Sequence, residues 1–468
     1  MCPAPMIPTV VIPVRNATSP ASIPASARGA TVQNYAGGMP VASAAVSHAD
    51  DLADFVAASP SSFHAAAEVA RRLSDAGFTP LDEREPWSVG PGEKQFVVRD
   101  GAILAWVVPE GANPDTPLHI FGAHSDSPAF KLKPKPTTGR AGWLQAGVEI
   151  YGGPLLNSWL DRELRLAGRL VLDDGTSVLA ATGALLRLPQ LAIHLDREAN
   201  DHLALGKQTQ TQPVWGVAST LGDVASADLL AEVAATADVD AARIRGYDLV
   251  TADAARGVVF GKDDAFFASG RLDDLASVHA GVVALAQAPL DGPHIAMLAV
   301  FDHEEVGSGT RSGAAGPLLE DVLERIQLGL GADREQQLRA LAASWCVSSD
   351  VGHSVHPNYV EKHDPVVQPV LGSGPILKIN ANQRYATDAA GAAAWHHWCD
   401  AAGVESQEFV SNNAVPCGST IGPITATRLG IRTVDVGIPI LSMHSARELA
   451  GTADLVALSR VAAAFFAA

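Results

Sequence analysis

The stretch IAMLAVFDHEE, which begins at Ile295, constrains the fold more than any other part of the chain. Its seven apolar residues have the length and composition of a fully buried strand. This strand runs directly into an Asp-His-Glu-Glu segment that ends with Glu304 and Glu305. Carboxylates packed this closely repel one another and are costly to bury unless a positive charge lies among them. The sequence therefore predicts a buried strand that ends beside a cation.

Similar polar groups follow other apolar segments or open a helix. They are His124 and Asp126 in GAHSDSP, Asp273 and Asp274 after SGRL, Asp350, His353 and His356 in SSDVGHSVHPNY, and His444 in ILSMHSARE. Each has a structural explanation on its own, since Asp273 suits a helix N-cap and a single histidine can simply be hydrogen-bonded in a partly buried position. Ligand sites in open α/β sheets, however, lie just beyond the strand ends.

Taken together, these groups form a mixed nitrogen and oxygen set of the kind that binds Zn²⁺, Mn²⁺ or Co²⁺. Two such ions with one bridging carboxylate would neutralise the charge that Glu304 and Glu305 bring together. One glutamate would bind metal, and its neighbour would face the cleft as a base. Residues two apart in an extended segment face the same way, so Asp126 is expected to accept an imidazole N–H and orient His124.

The rest of the pattern indicates an α/β fold. KQFVVRDGAILAWVV predicts a hairpin around Asp100, SSFHAAAEVARRLSDAG a capped helix, and RLDDLASVHAGVVALAQA a second helix. Strands that alternate with helices favour a largely parallel sheet covered on both faces. Between about Lys131 and Gly261, short alternating segments and polar loops indicate a β-rich insertion. We therefore expect a discontinuous α/β domain, 46–131 and 262–468, interrupted by an inserted domain, 132–261.

The first 45 residues are rich in Pro, Ala, Ser and Thr and lack any period that would bury a face, so they are expected to be a disordered extension. A signal peptide is the alternative. It is disfavoured because no basic residue precedes the apolar part and because Pro8 and Pro13 interrupt it. Met39 is an alternative start, since ordered-looking sequence begins just after it.

Charge and composition restrict the partners. A formal net charge of -18 argues against nucleic acid and anionic membranes, which need a basic footprint. No apolar run approaches the roughly 20 residues that span a bilayer. The four cysteines lie far apart without a CxxC pair, which indicates free thiols in a reducing compartment and predicts a cytoplasmic location.

The ordered motifs resemble those of the M18 family of metalloaminopeptidases, the aspartyl aminopeptidases. The matching stretches are GAHSDSP, GVEIYGG, SWLDRELRLAGRL, LPQLAIHL, RLDDLAS, FDHEEVGS, SSDVGHSVHPNY, ANQRYAT, CGSTIGPI and SMHSARE. They extend over nearly the whole chain after Asp50, and ten motifs in the family's order are far more specific than any one of them. One departure is Asp274, where many relatives have Asn, which leaves the metal preference open.

The resemblance implies roles for individual residues. His124 and His444 would each be a terminal ligand of one metal and Asp273 would bridge the two, while Glu305 and Asp350 would complete the coordination. Glu304 would be the general base that takes a proton from the attacking water and passes it to the departing amine. Two divalent ions per subunit are implied, Zn²⁺ before Mn²⁺ or Co²⁺.

The resemblance also implies substrate contacts. Lys378 would pair with an acidic first side chain, Tyr385 would donate a hydrogen bond nearby, and His353 would hold the tetrahedral oxyanion. His194, in LAIHL of the inserted domain, would contact substrate in a neighbouring subunit. Its alternatives are an ordinary strand histidine and a metal ligand.

The implied architecture is a zinc-exopeptidase-type sheet flanked by helices and interrupted by a β-rich dimerisation domain, with dimers that assemble into a tetrahedral dodecamer. The expected activity is removal of N-terminal Asp or Glu from short peptides. The alternatives are the same machinery with broad or neutral specificity, a non-catalytic shell or binding protein, and a di-metal phosphoesterase. The full ligand set and the ordered peptidase motifs argue against the last two.

Overall fold

The computed structural model describes residues 41–218 and 226–468, apart from the side chains of residues 41–43. The helices are α1 (Val41–Ala58), α2 (Ser62–Asp75), α3 (Leu229–Thr236), α4 (Leu272–Leu285), α5 (Leu318–Gly329), α6 (Arg334–Ala343), α7 (Ala389–Ala402), α8 (Ile421–Leu429) and α9 (Thr452–Ala467). The predicted capped helix in SSFHAAAEVARRLSDAG is confirmed as α2. Ser61 caps it, since its side chain accepts a hydrogen bond from the backbone N–H of His64.

The strands of the described residues form three sheets. In chain order they are β1 (Thr79–Pro80), β2 (Lys94–Arg99), β3 (Ala102–Val107), β4 (Leu118–His124), β5 (Ala129–Arg140), β6 (Trp143–Tyr151), β7 (Glu163–Leu172), β8 (Ser177–Ala181), β9 (Leu186–Arg187), β10 (Val214–Val217), β11 (Ile244–Asp253), β12 (Val258–Phe260), β13 (Phe266–Ser269), β14 (Ile295–Phe301), β15 (Trp345–Ser349), β16 (Gly352–His353), β17 (Ile376–Lys378), β18 (Gln407–Phe409), β19 (Arg432–Gly437), β20 (Pro439–Leu441) and β21 (Glu448–Gly451).

The main sheet has the strand order β1-β2-β3-β14-β4-β15-β19-β17-β18. Its centre, β14-β4-β15-β19, is parallel, whereas the predicted hairpin β2–β3 and the pairs β3–β14 and β17–β19 are antiparallel. A largely parallel α/β sheet was predicted and is confirmed. The antiparallel neighbours arise where a hairpin or a reversed strand joins the parallel centre.

The core lies on both faces of this sheet. Every residue of β14 is buried. Ala296, Leu298 and Val300 pack with α1, α2, α4, α7 and α9 on one face. The alternate residues of the same strand, among them Met297 and Phe301, pack with α5 on the other face. A continuous apolar run suits a strand covered on both sides, as predicted for this segment.

The second sheet, from β5 to β11, has the order β11-β5-β6-β10-β9-β7-β8, and β11 also pairs with β7, so the sheet closes on itself. Leu229 and Val233 of α3 belong to its separate apolar core. The β-rich character predicted for this region is confirmed. β12, which lies inside the predicted insertion, pairs instead with β13 in the third sheet, β12-β13-β21-β20-β16.

The predicted disordered extension lies mostly outside the described residues. Its last five positions, 41–45, belong to α1. Among the helices that the structure describes, none has the length and hydropathy needed to cross a membrane. Cys346, Cys399 and Cys417 are free thiols.

Candidate metal centre

Most of the polar groups predicted from the sequence meet at the carboxyl ends of the central strands. β4 and β14 are parallel with Phe301 opposite His124, so the Asp-His-Glu-Glu segment follows β14 at the level where β4 ends. Asp350 follows β15, the other parallel neighbour of β4. His444 lies between β20 and β21. The site therefore occupies the edge of the sheet where open α/β folds bind ligands.

Asp273 lies between two histidines. Its Oδ1 is 3.1 Å from Nε2 of His124, and its Oδ2 is 3.2 Å from Nε2 of His444. Asp273 stands at the start of α4, as predicted, and is 4% exposed. Each oxygen of one carboxylate thus faces a different imidazole nitrogen.

Further carboxylates complete the cluster. Glu305 Oε1 lies 3.4 Å from His444 Nε2, and Asp350 Oδ1 lies 3.9 Å from His124 Nε2. The possible ligand atoms of His124, Asp273 and Glu305 all lie within 4.8 Å of one another, and so do those of His124, Asp274 and Asp350. Asp274 also accepts a hydrogen bond from the backbone N–H of His124. The cluster therefore offers two overlapping groups of three ligands.

Several carboxylate oxygens of the cluster lack a hydrogen-bond donor among the described residues. Asp273 Oδ1, Asp274 Oδ1 and Glu305 Oε1 are buried and accept no hydrogen bond from the described residues, although two of them lie near an imidazole. Buried carboxylates are normally paired or bound to metal. Imidazole nitrogens and carboxylate oxygens are ligands that zinc prefers. The residues present therefore fit divalent cations.

The pKa shifts within the cluster reflect the crowding of its carboxylates. Burial lowers the pKa of His444, but contacts with Asp273 and Glu305 outweigh it and raise the pKa to about 10. Burial and Asp273 raise the pKa of Glu305 well above its ordinary value. Burial also raises the pKa of Glu304, to about 7, with Asp350 reinforcing the shift and His124 opposing it. Because metal ligands must be deprotonated, binding of a cation by His444 and Glu305 would release their protons.

Two buried carboxylates hold the backbone of the cluster. Asp126 accepts the N–H groups of Glu304 and Glu305 at 3.0 and 3.1 Å and the hydroxyl of Tyr151 at 2.8 Å. Glu448 accepts the backbone N–H of His444 at 2.7 Å and that of Asp273 at 3.0 Å. Each carboxylate therefore joins two segments that carry cluster side chains.

Sequence reasoning singled out neither Tyr151 nor Glu448. Both lie within stretches that carry the resemblance, GVEIYGG and SMHSARE, which was the available signal. The contact expected for Asp126 also differs from the one found. His124 Nδ1 bonds the backbone carbonyl of Asp126 at 3.0 Å, and the carboxylate is farther away at 3.5 Å.

The second sheet reaches the cluster. His444 Nδ1 lies 3.0 Å from the carbonyl oxygen of Gly153, just after β6. The backbone N–H of Leu155 donates to the carbonyl oxygen of His444 at 2.9 Å. The orientation and tautomer of this imidazole thus depend on the β6–β7 connection.

A cavity of about 280 Å³ lies beside the cluster. His353, Tyr385 and Met443 line it, together with three further basic residues, His356, Lys362 and His363. No acidic residue is among the described residues that line it. Burial lowers the pKa of His353 and of His363, so these imidazoles are mostly uncharged at neutral pH, and Lys362 is the lysine among the described lining residues.

Lys378 and His194 lie in contrasting environments. Lys378 is 2% exposed, and its Nζ lies 2.9 Å from the Val351 carbonyl oxygen and 3.6 Å from Asp350 Oδ2. It also lies 5.5 Å from the centre of the Tyr385 ring. His194 is exposed in a turn between β9 and β10, so it is not a strand histidine. Within the described chain, no hydrogen bond or ion pair joins it to the cluster.

Comparison with known proteins shows the family of this chain. Residues 55–466 match the family model of aminopeptidase I zinc metalloprotease (M18). A probable M18 family aminopeptidase 2 of Streptomyces avermitilis is 52% identical over 423 residues, which cover 89% of this chain and 97% of that protein. The protein of the same description from Mycobacterium leprae is 45% identical over 428 residues, covering 90% and 98%.

Solved structures share the fold. A chain in the cryo-EM structure of the Ape4 and Nbr1 complex superposes with a TM-score of 0.87 and 34% identity, covering 92% of this chain and 87% of that one. The mApe1 dodecamer of S. cerevisiae gives a TM-score of 0.77 and 29% identity, covering 89% and 96%. The shared α/β fold and the cluster of histidines and carboxylates define a metal-dependent hydrolase. The chain belongs to the M18 family of zinc metalloproteases and is a metalloaminopeptidase.

Proposed function

We propose that this chain binds two divalent ions and uses them to remove an acidic residue from the N-terminus of peptides. The observation that carries the proposal is the carboxylate of Asp273, whose two oxygens face His124 and His444 at 3.1 and 3.2 Å. Asp273 would be shared between the two ions. Glu305 would join the ligands on the His444 side and Asp350 those on the His124 side. Zn²⁺ is the preferred ion, with Mn²⁺ or Co²⁺ as alternatives.

When bound, such ions polarise a carbonyl group and lower the pKa of water. Glu304 is the proposed general base. Asp126 fixes its backbone beside that of Glu305, at the mouth of the cluster. The Glu304 carboxylate would take a proton from the attacking water and deliver it to the amine of the leaving peptide.

Substrate contacts are assigned to groups around the cavity. His353 would stabilise the negative oxygen that forms on the attacked carbonyl group, and Tyr385 would donate a hydrogen bond nearby. Lys378 would provide a positive charge for the acidic side chain. The lack of acidic residues among the described cavity lining supports this selectivity, and Lys378 is buried outside that lining, beside Tyr385.

One contact favours the alternative of broad or neutral specificity. Lys378 already lies 2.9 Å from a backbone carbonyl oxygen and 3.6 Å from Asp350, so part of its charge is satisfied within the chain. A lysine engaged in this way can be purely structural. The two specificities share one mechanism and differ only in the preferred first residue.

Initial rates on Asp, Glu, Ala, Leu and Lys aminoacyl substrates separate these possibilities. Each substrate is measured with chelator and after Zn²⁺, Mn²⁺ or Co²⁺ is restored. Metal-dependent cleavage that favours Asp and Glu supports the full proposal. A preference for Leu or Ala keeps the mechanism and refutes the acidic specificity. Absence of cleavage with every metal refutes the catalytic proposal.

The proposal extends to assembly. A relative of known structure is a dodecamer, which supports self-association of this chain. The division into 46–131 with 262–468 and an inserted dimerisation domain, 132–261, belongs to the same proposal, as does a cytoplasmic location. His194 would reach substrate in a neighbouring subunit, and its exposed position in a loop of the second sheet supports this role.

A further inference from the structure

Glu448 lies at the junction of the two segments that flank the proposed bridge. It is 2% exposed and begins β21, where it pairs with Ser269 of β13. Its Oε1 accepts the backbone N–H of His444 at 2.7 Å, and its Oε2 accepts the backbone N–H of Asp273 at 3.0 Å. A single side chain thus joins the backbones of two cluster residues that are distant in sequence.

These hydrogen bonds fix the N–H side of two irregular segments, whose carbonyl groups accept hydrogen bonds from Leu155 and Ser127. His444 has a left-handed backbone, with φ of 64°, in the loop between β20 and β21. Asp273 has a non-helical φ and ψ within the first turn of α4. The left-handed conformation of His444 persists only where surrounding contacts enforce it, whereas that of Asp273 is ordinary extended backbone that interrupts the helical turn. The Glu448 carboxylate supplies such a contact to both segments at once.

We propose that Glu448 is a positioning residue that sets the separation between the Asp273 carboxylate and the His444 imidazole, and thereby the affinity of the site for a divalent cation. This inference rests on the proposed metal centre. A carboxylate is required because both partners are N–H donors. Glutamine would direct its own N–H₂ group at one of them and leave a buried donor unpaired.

Asp454 offers a matched control. Its carboxylate is fully buried and also accepts two backbone N–H groups, those of Gly372 and Gly374, at 2.6 and 2.8 Å. Neither glycine is a proposed ligand. Asp454→Asn therefore makes the same chemical change as Glu448→Gln without touching the segments that carry Asp273 and His444.

The experiment measures Zn²⁺ affinity by competition with a fluorescent chelator on the full chain. Wild type, Glu448→Gln and Asp454→Asn are compared at one pH, with unfolding midpoints recorded for each. We expect Glu448→Gln to weaken zinc binding by about 10- to 100-fold and Asp454→Asn to leave it nearly unchanged. Excess zinc should restore turnover to Glu448→Gln in proportion to its occupancy.

Three results would overturn the inference. If Glu448→Gln binds zinc as tightly as wild type while its unfolding midpoint falls as far as that of Asp454→Asn, the residue is only structural. If Glu448→Gln does not fold, excess zinc should restore its circular dichroism spectrum, and failure to do so also contradicts a role at the metal. If wild type itself binds no zinc, the metal centre is refuted, and this inference falls with it.

Discussion

Replacing Lys378 by methionine tests whether its ammonium group selects acidic N-terminal residues. Methionine keeps most of the apolar stem and removes the charge, so the shape of this buried position changes little. If the ammonium pairs with the substrate, the loss must be greater for an Asp substrate than for an Ala substrate.

The size of the effect follows from the contacts of Lys378. At an effective dielectric constant of about 20, unit charges at the 3.6 Å that separates its Nζ from Asp350 Oδ2 interact by roughly 5 kcal/mol. A substrate carboxylate shares the ammonium with Asp350 and must also be desolvated. We therefore expect about half of this value, about 2 to 3 kcal/mol. That corresponds to a fall of roughly 30- to 150-fold in the ratio of kcat/KM for Asp and Ala substrates.

The assay measures initial rates on Asp, Glu and Ala aminoacyl substrates at fixed zinc concentration. Lys262→Met is the control, because that lysine is highly exposed and its ion pair is with Asp263 at 3.8 Å. Zinc content is measured for every variant, since loss of the contact with Asp350 can disturb the metal. Equal losses on Asp and Ala substrates at unchanged zinc content would refute the reasoning and make Lys378 a structural residue.

Three further predictions concern the base, the metal and the response to pH. Glu304→Gln should retain zinc and lose turnover by about 10²- to 10⁴-fold, and an active variant that holds full zinc would exclude Glu304 as the base. Chelation should lower the thermal unfolding midpoint and added zinc should restore it, because a ligand of the native state alone stabilises that state; an unchanged midpoint would contradict a buried metal centre. Burial raises the pKa of Asp454 to about 7, so the native chain binds this proton more tightly than the unfolded chain does. The free energy of unfolding should therefore fall as pH rises from about 4 to 7, and Asp454→Asn should flatten this dependence in urea titrations; an unchanged slope in the variant would exclude Asp454 as its source.

Local patterns were sufficient for most of the fold. The apolar run of β14, the Asp100 turn and the capped start of α2 each depend on neighbouring residues, and each was predicted correctly. The convergence of His124 with the segment after β14 could also be expected, because parallel strands end at one edge of a sheet. The β-rich character of the inserted region was predicted from its short segments of alternating apolar and polar residues.

The remaining features depend on pairings between distant segments. The residues around Glu448 in the sequence do not predict its role. That role arises because β21 pairs with β13, which brings the Glu448 carboxylate within hydrogen-bond distance of the Asp273 backbone N–H. Lys378 is buried, and its Nζ donates to the carbonyl oxygen of Val351 in the loop after β15, which is a contact between segments distant in sequence. The position of His194 relative to substrate requires a neighbouring subunit, so neither one sequence nor one chain can test it.

The hydrogen bond between His444 and Gly153 limits which parts of this protein can be removed or exchanged. The β6–β7 connection provides the carbonyl group that fixes a proposed ligand of the metal centre. A chain trimmed to its main sheet would lose that acceptor together with the N–H of Leu155. The second sheet is therefore not a detachable module. Exchanging it between relatives would preserve a working enzyme only if the two glycines after β6 and the loop before β21 were transferred as one unit.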